Sequence, residues 1–312
     1  VRGTGYAVHQ CNVQSACSGL PSALRTLHSR TGNLTATHFK LQTSMRLIRF
    51  QTTDDRTLYG EPVDADSARV LTGDLFGTLT PTGETAAITR LLAPVQPVNI
   101  FCIGLNYRAH AAETGAALPE HPVVFMKPTT AVIGPDAAIP LPAACAHGPE
   151  VDYEAELAVV IGRRARNVSA AQALDYVLGY TCANDVSARR WQKHGGGGQW
   201  VRGKGFDGFC PLGPVLVSAD DIPDPQRLEL RCRLNGREMQ RSSTADMIFP
   251  VAELIAFLSR DTTLLPGTLV LTGTPPGVGF ARRPPVFLAD GDRVEVTVER
   301  IGRLTNTIVA AG

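Results

Sequence analysis

From about residue 97 onward, the chain alternates short apolar runs with turn-forming residues. Short runs of aliphatic and β-branched residues bounded by Gly, Pro, Asn or Asp are typical of β-strands. The predicted strands cover residues 99–103, 123–126, 157–161, 177–182, 214–217, 228–234, 268–271 and 293–298. Helical patterns are restricted to residues 170–176, 188–193 and 250–258. Many strands with few helices favour an α+β, β-rich fold, built as a sheet stack or rolled barrel, over a doubly wound parallel sheet.

A second, smaller unit precedes this region. Residues 45–96 are predicted to form a small N-terminal domain, and residues 97–312 the main domain. Within the small unit we predict short strands at 58–60, 68–71 and 75–76, and a short helix at 86–92 that ends near Pro94. In the main domain, the pair Asn235-Gly236 between two strand-like runs predicts a hairpin turn.

Residues 1–44 differ in composition from the rest of the chain. They contain Arg2, Arg25, Arg30 and Lys40 but no acidic residue. Targeting peptides have this Arg-rich, acid-poor character, so the segment could be a transit-type extension. It could equally be upstream sequence added by a gene-model error, which the lack of an initiator Met at position 1 favours. We expect this segment to be disordered and to take no part in the chemistry.

The overall composition narrows the classes of function. The 312 residues are 44% hydrophobic and 19% charged, with a formal net charge of +1, which gives no electrostatic reason to expect nucleic-acid or membrane partners. No apolar run approaches the roughly 20 residues needed to span a bilayer. The seven cysteines form no C-x-x-C pair and are predicted as small buried residues in a reducing compartment. The predicted location is cytoplasmic, or mitochondrial if residues 1–44 are a transit peptide.

Three carboxylates in the middle of the chain are the strongest chemical signal. Glu154 and Glu156 lie two residues apart where the apolar run 157–161 begins, so they point to one face of that strand. Asp185 follows the next predicted strand. Like charges this close repel, and a hard cation such as Mg²⁺, Mn²⁺ or Ca²⁺ would relieve them. The alternative is that the two glutamates are solvated or paired with the arginines that follow the strand.

Other polar residues suggest acid–base chemistry and anion binding. His110 and Glu113 are neighbours on a helical turn, where the carboxylate could hold the imidazole as a general base, although a plain surface pair is the alternative. Lys127 ends a predicted strand, and Lys204 lies between glycines. Both suit an anionic substrate or a developing oxyanion, and both could equally be ordinary exposed lysines.

Two glycine-rich segments are candidates for loops near a site. The four glycines at 195–198 could form a lid, or a tolerated surface loop. The segment 271–279 contains Thr274 within a Gly- and Pro-punctuated turn whose hydroxyl and backbone N–H groups could bind a carboxylate. The alternative for this segment is a purely structural turn.

Taken in chain order, these motifs resemble one family. The chain contains G-x-N-Y-x-x-H-x-x-E, F-x-K-P, Y-E-x-E-L-x-V-V-I-G, N-D-V-S-A-R, G-K-x-F-D and L-T-G-T-P-x-G-V-G. Together they resemble the fumarylacetoacetate hydrolase superfamily over about residues 98–309, and most closely its branch of short proteins like FAH-domain-containing protein 2. The resemblance implies a mixed β-roll fold, usually as a homodimer. One departure is the loop at 195–198, which is richer in glycine than is usual for the family.

The resemblance also implies a set of roles. It implies that Glu154, Glu156 and Asp185 hold Mg²⁺ or Mn²⁺, and that His110 and Glu113 form the catalytic dyad. It further implies that Arg189, Gln192, Thr274 and Lys204 line the pocket of a small anionic keto acid.

Two enzymatic hypotheses follow. The first is a metal-dependent hydrolase that cleaves a C–C bond in acylpyruvates or related 1,3-diketo acids, with Lys204 stabilising the developing negative charge. The second is an oxaloacetate tautomerase or decarboxylase, or a 2-hydroxy-diene-dioate isomerase, which uses the same metal-stabilised enolate. A third hypothesis, a metal-binding scaffold without activity, is disfavoured by the intact His110–Glu113 pair and carboxylate set.

Overall fold

The computed structural model describes residues 45–310. Segment 1–44, for which disorder was expected, lies outside this described part. The first group of strands is β1 (Arg46–Gln51), β2 (Thr57–Pro62), β3 (Ser67–Gly73), β4 (Leu79–Ala87) and β5 (Arg90–Leu92). The central group is β6 (Asn99–Gly104), β7 (Val123–Met126), β8 (Val132–Ile133), β9 (Ile139–Pro140), β10 (Val151–Asp152), β11 (Ala155–Ile161), β12 (Val177–Asn184), β13 (Ser187–Ala188) and β14 (Cys210–Ser218). The last group is β15 (Glu229–Leu234), β16 (Arg237–Ser243), β17 (Thr268–Leu271), β18 (Arg293–Val298) and β19 (Gly302–Val309).

Helices are short and few in this part of the chain. The α-helices are α1 (Arg108–Thr114), α2 (Arg189–Lys193), α3 (Val201–Lys204) and α4 (Val251–Leu258). The 3₁₀ helices are Thr129–Ala131, Ala170–Tyr176, Ala219–Asp221, Thr244–Asp246 and Gly279–Ala281. Within residues 45–310, no helix is both long and apolar enough to cross a membrane. The predicted β-rich α+β class with few helices is confirmed.

The strands form one large sheet and two smaller ones. The large sheet has the order β4-β3-β2-β1-β14-β12-β11-β17-β6-β7, with β5 paired to β1 and β8 paired to β14. It is therefore open at β4 and β7. A five-stranded sheet has the order β16-β15-β18-β19-β9, and β10 pairs with β13. Because β1 is hydrogen-bonded to β14, the N-terminal strands extend the main sheet instead of forming an isolated one.

Most of the predicted elements of the main domain are present. Each predicted strand there overlaps an observed one, and Asn235 and Gly236 both have positive φ in the turn between β15 and β16, as a tight hairpin requires. In the small N-terminal unit, the strand predicted at 75–76 is wrong, since these residues lie in the turn between β3 and β4. The helix predicted at 86–92 is also wrong. Residues 86–87 end β4 and residues 90–92 form β5, and pairing of these strands with β3 and β1 overrides the local helical preference of an alanine-containing run.

The central strands are covered on both faces. Every residue of β11 and of β12 is buried. Along β11, Leu157 and Val159 pack into one hydrophobic cluster with the five-stranded sheet and α4, whereas Ala158 and Val160 pack into a second cluster on the other face. Because both faces of β11 are buried, its sequence is a continuous apolar run and not an alternation of apolar and polar residues. The cysteines among residues 45–310 are free thiols. Cys145 is partly buried, and the buried ones are Cys102, Cys182, Cys210 and Cys232. Cys11 and Cys17 lie outside the described residues.

Candidate active site

The pairing of the central strands brings several chain ends to one edge of the large sheet. Strand β11 is antiparallel to both β12 and β17, and β17 is parallel to β6. The beginning of β11 therefore lies beside the ends of β12, β17 and β6. Residues that immediately precede β11 or follow the other three strands meet there, which is where the sequence motifs lie.

The three predicted metal ligands come together at this edge. One oxygen each of Glu154, Glu156 and Asp185 lies within 4.8 Å of the others. Ala155 pairs with Asn184 across the β11–β12 ladder, and the Asp185 backbone N–H donates to the Glu154 carbonyl at 2.9 Å, so this register sets two of the carboxylates side by side. All three side chains are buried.

Two lysines neutralise part of this charge. The Lys204 ammonium bridges Glu154 Oε2 at 2.8 Å and Asp185 Oδ2 at 2.7 Å. Lys127 Nζ lies 2.6 Å from Asp185 Oδ1 and also donates to the carbonyls of Val186, Phe209 and Lys204. Lys127 is fully buried behind the carboxylates and does not line the cleft, so its position differs from the one expected for a substrate-binding residue.

Arg189 is fixed from two sides. Its guanidinium contacts Glu154 Oε1 at 2.6 Å and Asp152 Oδ2 at 2.8 Å, and it donates to the Gln192 side-chain oxygen at 3.0 Å. Asp152, which is itself fully buried, also accepts from the backbone N–H groups of Gly279 and Phe280. This one carboxylate therefore ties α2 to the segment that covers the site.

Glu156 differs from the other two carboxylates because no ion pair reaches it within residues 45–310. It accepts one hydrogen bond, from the Gly273 backbone N–H at 2.7 Å. Burial, together with the charges of Asp185 and Glu154, raises the pKa of Glu156 well above its ordinary value. Burial also acts to raise the pKa of Glu154, but Lys204 and Arg189 outweigh it and hold that pKa below the ordinary value.

This arrangement fits a divalent cation. The donors are all carboxylate oxygens, which hard cations such as Mg²⁺ and Mn²⁺ prefer. A buried carboxylate with no cationic partner is electrostatically costly, and Glu156 is in that position. A cation held by Glu154, Glu156 and Asp185 would remove that cost.

The predicted catalytic dyad lies beside the carboxylates. His110 on α1 is buried, and its Nδ1 is 2.9 Å from Glu113 Oε2. The other oxygen of Glu113 accepts from the Gly277 backbone N–H at 2.8 Å. If Glu113 is ionised, Nδ1 carries the proton and Nε2 is left as an acceptor, an assignment inferred from this hydrogen bond. The imidazole is thus oriented for proton transfer at Nε2.

The turn after β17 serves the protein's own carboxylates. Its backbone N–H groups at Gly273 and Gly277 donate to Glu156 and Glu113, instead of being free for a ligand. Both glycines have positive φ, and a Cβ at Gly273 would lie 2.6 Å from Asn106 Cβ. The Thr274 hydroxyl donates to the Ala155 carbonyl at 3.2 Å and lines the cleft.

A cleft of about 710 Å³ unites most of these residues. Of the residues predicted from the sequence as catalytic, substrate-binding or metal-ligating, those on its wall are His110, Glu113, Glu154, Arg189, Gln192, Lys204 and Thr274. Aromatic rings lie beside two of the cationic residues that line the cleft. Beside Lys204 lie Phe125 and Trp200, whose rings are 5.4 Å apart. Beside Arg189 lies the ring of Phe280. None of the glycines at 195–198 is among the residues that line it.

Sequence reasoning missed three buried polar residues that build the site. Asp152 continues the alternation of Glu154 and Glu156 by two positions, and this signal could have found it. Asn106 lies in the first motif, and its side chain joins the carbonyls of Phe249 and Thr272. Gln240 on β16 accepts from the Ala155 N–H at 2.9 Å and donates to Thr274 Oγ1 at 2.8 Å, and nothing in its local sequence distinguishes it.

Comparison with known proteins agrees with this geometry. Residues 99–309 match the family described as fumarylacetoacetate (FAA) hydrolase, C-terminal, and residues 45–94 match one described as Rv2993c-like, N-terminal. The chain is 45% identical over 234 residues to the Bos taurus protein named oxaloacetate tautomerase FAHD2A, mitochondrial, covering 75% of this chain and 74% of that protein. The Homo sapiens protein of the same name is 38% identical over 296 residues, covering 92% of each.

Solved structures with the same fold carry isomerase and hydrolase names. The 2-hydroxyhepta-2,4-diene-1,7-dioate isomerase from Mycobacterium marinum is 42% identical, with a TM-score of 0.74 over 86% of this chain and 100% of that one. The fumarylacetoacetate hydrolase from Exiguobacterium antarcticum is 36% identical, with a TM-score of 0.76 over the same shares.

Proposed function

Because the chain belongs to the fumarylacetoacetate hydrolase family, and is an enzyme of that superfamily, we propose that it is a divalent-metal-dependent enol–keto tautomerase acting on oxaloacetate. The observation that carries the proposal is that Glu154 and the His110–Glu113 dyad line one cleft, while ligand oxygens of Glu156 and Asp185 lie within 4.8 Å of that of Glu154. The names of relatives at 38% and 45% identity support oxaloacetate as the substrate.

The residues of the site are proposed to have different roles in metal binding and charge stabilisation. Glu154, Glu156 and Asp185 would hold Mg²⁺ or Mn²⁺, with Ca²⁺ also compatible with such donors. When bound, the cation supplies Lewis-acid polarisation of the substrate's 2-oxygen and adjacent carboxylate. Lys204 and Arg189 add fixed positive charge at this end of the cleft, which favours an oxygen that carries developing negative charge. Lys127, buried behind Asp185, positions that carboxylate and does not touch the substrate.

His110 moves the proton. Conversion of the enol to the keto form removes one proton from the 2-hydroxyl and adds one at carbon 3, so the reaction needs no co-reactant. His110 Nε2 is suited to accept the first proton and deliver one to carbon 3, because Nδ1 is engaged with Glu113. Gln192 and Thr274 are proposed to orient the first carboxylate, since both line the cleft next to the cluster.

Hydrolysis of a C–C bond is the second candidate. The same dyad could activate a water molecule for attack on a distal carbonyl, and the Exiguobacterium relative bears the name of a hydrolase. The tautomerase is preferred because the relatives named for oxaloacetate tautomerisation and for diene-dioate isomerisation are more similar in sequence.

An ultraviolet assay of enol decay separates the candidates. The full chain, with Mg²⁺ or Mn²⁺ and with EDTA as the control, is given enol-oxaloacetate or acetylpyruvate, and the products are identified by mass. Metal-dependent enol loss that yields keto-oxaloacetate alone, faster than the buffer blank, is the expected result. Cleavage of acetylpyruvate into pyruvate and acetate would replace the proposal with the hydrolase. No metal-dependent change in either substrate would refute both.

Two broader proposals accompany the activity. We propose a homodimer, supported by the edge strand β7, which exposes Val123, Val124 and Met126, and light scattering would give the mass in solution.

We propose a mitochondrial location, supported by the names of the relatives. The match that covers 92% of this chain must extend into residues 1–44, which favours the transit-type explanation of that segment. An import assay with and without these residues tests it.

A further inference from the structure

A second cationic side chain, that of Lys193, lies beside Arg189 on the cleft wall. Lys193 is the last residue of α2, four positions after Arg189, so both side chains project from the same face of that helix. Both also lie over the ring of Phe280: the Lys193 ammonium is 4.0 Å, and the Arg189 guanidinium 4.5 Å, from its centroid. Both line the cleft.

The two cations differ in how they are compensated. Arg189 is paired with Asp152 and Glu154, whereas no ion pair to Lys193 is found within residues 45–310. Like charges four residues apart on a helix are unfavourable by themselves. Burial and the charge of Arg189 lower the pKa of Lys193, and together they outweigh the opposing charge of Asp152. An anion in the cleft would supply that partner.

The neighbouring part of the cleft wall is also cationic. Arg282 and Arg283 line it, and Arg282 donates to the carbonyls of Gly277 and Met239, not to a carboxylate. The carboxylates among the described residues that line the cleft are Glu113 and Glu154, and both are already engaged. Phe125 and Trp200, beside Lys204, form an apolar part of the lining.

We propose that Lys193 binds the second carboxylate of a dicarboxylic enol or keto acid, and so selects dicarboxylates over monocarboxylates with an apolar tail. The inference rests on the proposed function, in which the first carboxylate and the 2-oxygen are polarised by the cation that Glu154, Glu156 and Asp185 would hold. The second carboxylate then extends along the Phe280 side, where Lys193 can donate a charge-assisted hydrogen bond.

The kinetic test compares two substrates that share one head group. Enol-oxaloacetate carries the second carboxylate, and enol-phenylpyruvate carries an apolar ring in its place. Lys193→Met should raise KM for enol-oxaloacetate about tenfold with little change in kcat, and should leave KM for enol-phenylpyruvate unchanged or lower. Lys193→Arg should restore most of the loss. Arg190→Met, which removes an exposed charge from the same helix outside the cleft, is the matched control.

A binding measurement separates failure of this inference from failure of the proposed function. Titration of the Mg²⁺-loaded protein with oxaloacetate and with oxalate, which has the chelating head but no tail, should show weaker oxaloacetate binding in Lys193→Met and unchanged oxalate binding. If wild type turns over neither enol, the tautomerase is refuted, and this titration alone decides the role of Lys193. Equal effects on both ligands, or none on either, would overturn the role of Lys193 whatever the activity.

Discussion

The carboxylate cluster reaches the cleft of the His110–Glu113 dyad through Glu154, but the cluster and the dyad are built in opposite ways. The cluster lies at the ends of central strands, buried among two lysines and an arginine that contact it directly. The dyad lies on the short helix α1, and its described side-chain contacts are the His110–Glu113 bond and the bond from Gly277 to Glu113. Its glutamate is exposed, whereas Glu156 is buried.

The difference lies in the effect of each group on the stability of the metal-free protein: the cluster lowers this stability, whereas the dyad has little effect on it. Three buried carboxylates at one point repel each other, and the sheet holds them there at a cost to stability that a bound cation would relieve. The dyad is a hydrogen-bonded pair at the cleft wall, and it costs the fold little. Substitutions in the cluster should therefore change metal affinity and stability together, whereas substitutions in the dyad should change turnover alone.

Glu156→Gln should produce the largest effect. It removes the carboxylate that has no cationic partner, and glutamine can still accept the bond from the Gly273 N–H. We expect Mn²⁺ affinity to fall by about 100-fold or more, with turnover lost at ordinary metal concentrations. Calorimetric titration with Mn²⁺ and the enol assay measure the two effects. Wild-type Mn²⁺ affinity in this variant would remove Glu156 from the ligand set.

Asp185→Asn provides the contrast within the cluster. Asp185 compensates both Lys127 and Lys204, so its neutralisation leaves two buried ammonium groups short of a partner. The metal-free variant should lose about 3 kcal/mol of unfolding free energy, whereas metal-free Glu156→Gln should lose none. Urea denaturation in EDTA tests this. Equal losses would mean that Glu156 also has a stabilising partner.

His110→Gln should lower kcat by about 10² to 10⁴-fold, because it removes the group proposed to transfer the proton. Glutamine can still bond to Glu113, and the side chain touches none of the three carboxylates through a described hydrogen bond. Mn²⁺ affinity and the urea midpoint should therefore stay at wild-type values. A loss of Mn²⁺ affinity comparable to that of Glu156→Gln would show that the dyad and the cluster are one structural unit.

The cluster could be predicted from the sequence because local rules place its members. The two-residue period of a strand aligns Glu154 with Glu156, and Asp185 follows a strand that turns back beside the first. The His110–Glu113 contact follows in the same way from helical spacing. The Glu154–Glu156 and His110–Glu113 inferences depend only on residues within one element or its immediate continuation, whereas the family resemblance adds Asp185 to the ligand set.

The compensating residues could not be predicted, because they come from distant parts of the chain. Gln240 reaches Thr274 from a different sheet, and Lys127 passes behind Asp185 instead of entering the cleft. The wrong helix prediction for residues 86–92 has the same cause, because pairing of these residues with distant strands is not visible in their own sequence. Tertiary partners, unlike periodicity, leave no local signal.

The pH dependence of stability gives the finest test of the comparison. The pKa of Glu156 is raised in the folded protein, so the folded state holds that proton more tightly than the unfolded chain does. Its contribution is fully present below the ordinary pKa and is lost as the pH rises toward the raised folded value. Glu154, whose pKa is lowered, contributes stability that is lost only as the pH falls below its ordinary value, so it does not interfere above pH 5.

Metal-free wild-type protein should therefore lose stability relative to Glu156→Gln as the pH rises above about 5, and the gap between the two should widen as the pH rises further. Urea midpoints of both proteins in EDTA across this range measure the gap, and comparing the two variants cancels groups common to both. Saturating Mg²⁺ should reverse the trend in the wild type, because the ligands bind the cation only when deprotonated. A constant gap would mean that Glu156 is already ionised without cost, and that the cluster, like the dyad, is satisfied without a metal.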